Sequence, residues 1–149
     1  MYPSRKRQIR PHERLALTER DFSILWAISL RGYRFLTCRQ IGLLFSIPEG
    51  SCNRRMEELS SARLVRRLYL PVIVNEKEKE PIYTIDRLGA ALLARQSHLE
   101  LRKLYSPIGE RSYLFLAHSI EVNDFRVALE VATRDREHVR VLFWRSEKE

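Results

Sequence analysis

The chain has 149 residues, 44% of them hydrophobic, and 27 Lys and Arg against 19 Asp and Glu give it a net charge of +8. That length suits one ordinary domain or a small domain with an appended element, and the apolar share supports a core, which excludes wholesale disorder. No apolar run reaches the roughly 18 residues of a membrane span, and the charged start MYPSRKRQIRPHER lacks the apolar stretch of a secretory signal, so a cytoplasmic protein is expected.

The charge is confined to one half. Residues 1–70 hold 14 Lys and Arg against 6 Asp and Glu, whereas residues 71–149 hold 13 of each. Charge gathered on one half points to a polyanionic partner for that half. Residues 1–16 read as a flexible basic arm carrying Arg5, Lys6 and Arg7 with two prolines.

A first helix is expected from Thr18, where Thr18-Glu19-Arg20-Asp21 resembles a capping box, to a stop at Gly32. Phe22, Leu25, Trp26 and Ser29 follow helical spacing, which assigns the aromatic pair to the core. Thr37-Cys38-Arg39-Gln40 opens a second helix through Ile41, Leu44 and Phe45, and Ile47-Pro48-Glu49-Gly50 reads as a turn. A third helix from about Ser51 to Arg63 turns Cys52, Met56, Leu59 and Arg63 inward and Asn53, Arg54, Glu57 and Ser61 outward. That outward set is suited to base edges, since Arg pairs with guanine and Asn with adenine.

Runs from Leu64 to Val74 and from Pro81 to Ile85, around the tip Asn75-Glu-Lys-Glu-Lys-Glu80, make a β-hairpin. Three helices followed by such a hairpin form the winged helix-turn-helix pattern. The tip mixes three Glu with two Lys, a poor phosphate clamp on charge alone. Asp86 caps a fourth helix to about Arg95, with Leu88, Ala91, Leu92 and Arg95 in register. Pro107 and Gly109 then mark a boundary.

The last long element, about Arg111 to Arg136, carries two apolar stripes: Tyr113, Leu116, Ala117, Ile120, Val127 and Val131, then Phe115, Val122, Phe125 and Leu129. Intramolecular packing can cover one and a twofold-related copy the other. Val139 to Trp144 is expected to close the chain as an aromatic-rich strand.

The order of these elements resembles the bacterial Replication-relaxation family of plasmids and other mobile elements. Three stretches carry it: LTERDFSILWAISLRGYRFLTCRQIGLLF from Leu17 to Phe45, IYTIDRLGAALLA from Ile82 to Ala94, and HSIEVNDFRVALE from His118 to Glu130. The third, with Asn-Asp five residues after a His, is the most distinctive. The resemblance implies a winged-helix DNA-binding module in plasmid replication or its control. Longer members continue into a nuclease-like segment; this chain stops at Glu149, where that segment would begin, and no enzymatic activity is expected of it.

The residues themselves agree. There is no Gly-rich phosphate loop, GxSxG elbow or HExxH. Cys38 and Cys52 lie 14 apart with no CxxC, so no metal site is expected and both read as buried, reduced thiols. His118 and Asp124 fall on different helical faces, and His118 reads as a structural histidine bonded to a neighbouring element.

The expected architecture is mainly α (α+β): a basic arm over 1–16, a winged helix-turn-helix over 17–96, and a long helix with a terminal strand over 97–149 serving dimerisation. Expected phosphate contacts are Arg5, Lys6, Arg7, Arg34, Arg39, Arg66 and Arg67, with Arg55 on backbone from the flank of helix 3; Asn53 and Arg54 are expected to reach bases. The expected partner is double-stranded DNA, bound by a homodimer without a membrane, cofactor, metal or small-molecule ligand. A protein–protein scaffold in a replication or mobilisation complex, or the remnant of a nuclease-containing protein, stands as the alternative.

Overall fold

In a computed structural model, residues 15–70, 80–105 and 113–145 are described. Helix α1 (Glu19–Ser29) starts at a reciprocal capping box: the Asp21 N–H donates to the Thr18 hydroxyl at 3.2 Å and the Thr18 N–H to the Asp21 carboxylate at 2.8 Å. The helix stops at Leu30, and Gly32 takes the left-handed φ of +77° that the turn back to strand β1 (Leu36–Thr37) requires. Helix α2 (Cys38–Phe45) opens on the second capping box, between Thr37 and Gln40.

Helix α3 (Glu49–Ser61) starts two residues before the expected Ser51, so the turn contracts to Ser46-Ile47-Pro48. Pro48 at the N-cap forfeits no helical hydrogen bond, and Glu49 suits the positive end of the dipole. The same helix ends before Arg63, whose φ of 59° turns the chain and leaves its side chain exposed rather than on the buried face.

Strands β2 (Val65–Tyr69) and β3 (Pro81–Ile85) pair antiparallel, with Val65 opposite Ile85 and Tyr69 opposite Pro81. Strand β1 joins the far edge of β3, giving the order β1-β3-β2. Helix α4 (Arg87–Ser97) is capped by Asp86, whose carboxylate accepts the Arg87 N–H at 2.7 Å. It crosses so close to the α3–β2 corner that a Cβ on Gly89 would lie 2.1 Å from the Leu64 carbonyl oxygen. Its buried face is therefore Gly89, Ala90 and Leu93, and Leu88 is exposed, which displaces the expected register by one position. Short α5 (Leu101–Leu104) and long α6 (Tyr113–Thr133) complete the described helices.

Alternation along the strands divides the sheet into two apolar faces. Val65, Tyr83 and Ile85 join the main core with Ile24, Leu25, Ile28, Ile41, Met56 and Leu59. Ile82 and Leu68 point the other way, beneath Phe35 and the Leu116 end of α6. Helix α6 thus roofs the back of the sheet while its Val127 reaches the main core. Trp26, expected in the core, is 37% exposed at the rim of α1, because Ile24, Leu25, Ala27 and Ile28 fill that face.

The expected terminal strand is absent: residues 139–145 have no strand structure and pair with neither edge of the β1-β3-β2 sheet. Trp144 instead lies against Phe125 of α6, ring centroids 6.2 Å apart. Most of the expected wing tip, the Pro107–Gly109 boundary and nearly all of the basic arm lie outside the described residues.

Candidate nucleic-acid interface

On α3 the apolar spacing Cys52, Met56, Leu59 is buried, and Asn53, Arg54, Glu57, Glu58 and Ser61 are exposed. Arg54 makes no ion pair or hydrogen bond through its side chain among the described residues, so its guanidinium is open to a partner. Strand β2 runs beside α3 and sends Arg67 to the same surface, its Nη1 3.8 Å from Glu57 Oε1 and its guanidinium over the Tyr69 ring. Arg66, its neighbour, necessarily projects from the opposite face of the strand, the side roofed by α6. The structure therefore separates these two arginines by the thickness of the sheet.

Arg55 is placed differently from its neighbour Arg54. Its Nε donates to Asp21 Oδ1 at 2.9 Å, its Nη1 to Glu58 at 2.7 Å and its Nη2 to the Ala16 carbonyl at 2.8 Å and to Asp21 Oδ2. Burial alone would raise the Asp21 carboxyl, but the Arg55 hydrogen bonds and charge, with the Thr18 N–H, hold it below the usual carboxylate range. Arg55 is a strut between α1 and α3, with four of its five N–H groups engaged inside the chain.

Arg34 and Arg39 lie on the other side of the molecule, where α6 packs against α2 and β1. Arg39 donates to Asp124 at 2.8 Å, and Arg34 lies over the Phe35 ring. The seam around them is a set of polar anchors. Gln40, which caps α2 through its Oε1, uses its Nε2 to reach Ile120 O at 3.0 Å and Asp124 at 2.9 Å. Buried Asn123 donates to the carbonyls of Tyr33 at 2.9 Å and Phe35 at 2.6 Å. Arg126 stacks 3.8 Å above the Tyr33 ring and donates to Arg31 O at 2.6 Å.

The Tyr33 hydroxyl donates to Glu130 at 2.6 Å, and burial with that bond raises the phenol above its ordinary pKa. Arg134 closes the seam by donating to Leu44 O at 2.6 Å. Sequence reasoning singled out the His118–Glu130 stretch without finding this role. The available signal was its polar pattern, Asn123, Asp124, Arg126 and Glu130, recurring at helical spacing on one side of an otherwise apolar helix.

His118 is exposed and, among the described residues, is not bonded to a neighbouring element as expected. Cys38 and Cys52 are free and buried. Among the described residues no group of three or more His, Cys, Asp or Glu is placed to hold a metal ion, and no helix is long and apolar enough to cross a membrane. Arg5, Lys6 and Arg7 lie outside the described residues.

These features define a class: a mainly helical α+β protein with a small three-stranded antiparallel sheet, whose long C-terminal helix α6 is locked onto the preceding helices. A family model described as Replication-relaxation matches residues 28–149, and the chain belongs to that family. The match takes in all of α2, α3, the sheet and the α6 seam. No curated protein and no solved structure matches the chain.

Proposed function

We propose that the protein is a cytoplasmic double-stranded DNA-binding protein acting in plasmid or mobile-element replication or in transcription control, and that residues 17–96 are a winged helix-turn-helix. The order α1-β1-α2-α3-β2-β3, with β1 and β2 flanking β3, supports that reading. The observation that carries the function is the outer face of α3. Asn53 and Arg54 stand exposed there with Arg67 beside them, in the half of the chain that holds all of its net charge. In this reading Asn53 and Arg54 contact base edges, and Arg67 with the arm residues Arg5, Lys6 and Arg7 contacts phosphates.

Glu57 and Glu58 on the same helix repel phosphates at random positions and favour a preferred sequence. Selection of bound duplexes from a random pool tests this: enrichment of one sequence is expected, and a pool that stays random removes α3 as a reader. With about six phosphates neutralised, log affinity falls against log salt with a slope near −5.

The reading extends to a homodimer through α6. Leu114 and Phe125 are 76% and 64% exposed, and their spacing of 11 residues, three helical turns, puts them on one stripe with the exposed Ala128 and Ala132. A twofold copy of that stripe would cover it. Sedimentation at tens of micromolar tests it directly, with Phe125→Glu expected to convert a dimer to a monomer; a wild-type monomer ends the dimer and leaves the α3 reading intact.

A further inference from the structure

The C-terminal end of α6 and the chain that follows border an open cleft of about 540 Å³. Arg31, Arg126, Arg134, Arg136 and Arg140 line it together with Trp144. Only Glu130 and Glu137 oppose these five cations. Glu130 is already shared by Arg31, Arg126 and the Tyr33 hydroxyl. Arg136 and Arg140 make no ion pair among the described residues.

Arg126 is 6% exposed, and its Nε has no hydrogen-bond partner, the nearest carboxylate oxygen being Glu130 Oε1 at 3.5 Å. Guanidiniums gathered around one concavity repel each other, and a buried cation short of hydrogen bonds is destabilising. An anion in the cleft relieves the repulsion. The wall also offers an aromatic surface, since Trp144 lines the cleft and the Arg126 guanidinium lies 5.6 Å from its ring.

We propose that this cleft binds a nucleotide unit, its phosphate held by Arg136 and Arg140 and its base laid against Trp144. The fork of arginine matches phosphate oxygens in pairs, and an indole face accepts any base by stacking. The volume is that of a small-molecule site rather than of a groove for a duplex. The site is distinct from the outer face of α3 and does not depend on duplex recognition there. The nucleotide unit can come from a free mononucleotide or from a single strand of nucleic acid.

The chain has two tryptophans, so Trp26→Phe leaves Trp144 as the sole indole reporter. In that background the full chain is titrated at about 0.1 M salt with ATP, with an eight-nucleotide single strand, and with inorganic phosphate. A saturable change in Trp144 emission is expected with ATP or with the strand. ATP saturating as tightly as the strand identifies a free-nucleotide site; saturation by the strand alone identifies a strand site.

Arg136→Ala with Arg140→Ala removes two exposed side chains that make no ion pair among the described residues, and should leave the thermal unfolding midpoint in place while weakening binding about tenfold or more. Arg54→Ala should leave this titration unchanged, which separates it from any failure of duplex binding. No saturable response to either nucleotide probe, a response that survives loss of both arginines, or inorganic phosphate binding as tightly as ATP each overturns the proposal.

Discussion

Two surfaces of this molecule carry arginines, the α3 face from the basic half alone and the α6 seam from both halves, and they use them in opposite ways. On the outer face of α3, Arg54 has no side-chain partner among the described residues, and the ion pair of Arg67 is a 3.8 Å contact to exposed Glu57. Along the α6 seam, Arg31, Arg39, Arg126 and Arg134 all bond to carboxylates or carbonyls inside the chain. The difference teaches that a count of basic residues overstates the charge left for a partner. Adjacent residues show it most sharply: Arg54 is open, and Arg55 is locked between Asp21, Glu58 and Ala16.

The comparison breaks most visibly where an internal arginine loses its partner. Asp21→Ala leaves Arg55 partly buried without its main carboxylate and removes the α1 capping box at once, so a loss of about 3 kcal/mol or more is expected in urea unfolding. Because the Asp21 pKa is lowered in the fold, its contribution is complete above the unfolded value of about 4 and is lost as pH falls through the folded value. Acid unfolding of Asp21→Asn should accordingly show a shallower dependence on pH below about 4 than the wild type. An unchanged acid limb would show that the strut contributes nothing.

Next in size is Asn123→Ala, which strips two backbone carbonyls of their buried donor. About 2 kcal/mol is expected, read as a lower unfolding midpoint together with earlier hydrogen exchange in α6. Loss of stability without loss of α6 protection would mean that the seam does not hold the helix.

The fold was legible wherever the chain carries local punctuation. Thr18 and Thr37 each precede a residue three places on that can return a bond, and both capping boxes form as expected. The period-3.6 spacing of Cys52, Met56 and Leu59 likewise sorts α3 into an inner and an outer face. What was not legible depends on contacts between distant segments. Nothing near Arg39 announces Asp124, 85 residues away, and nothing near Arg55 announces Asp21. The strand expected at 139–144 illustrates the limit from the other side. Its composition favours a strand, but the segment pairs with neither edge of the sheet and its Trp144 lies against Phe125 of α6 instead.

On the open surface the effects fall on binding rather than stability. Arg54→Ala should weaken a selected duplex about tenfold with the unfolding midpoint unchanged, and should relax the preference at one base position, as measured by titration against single-base variants of the site. Arg67→Ala should weaken all duplexes alike and make the salt slope shallower by about one.

The smallest effect expected is at Arg39, and it tests the dividing line itself. Its ion pair with Asp124 joins side chains that are 53% and 41% exposed, so solvent screening leaves it worth no more than several tenths of a kcal/mol. Arg39→Ala should scarcely move stability, because Gln40 still bonds both Asp124 and Ile120 across the same seam. If duplex affinity falls as far as it does for Arg54→Ala, Arg39 exchanges Asp124 for a phosphate when DNA binds. The seam would then release a basic group on demand rather than withhold it. If affinity stays constant, the seam and the α3 face divide the arginines of this half between holding the fold together and meeting its partner.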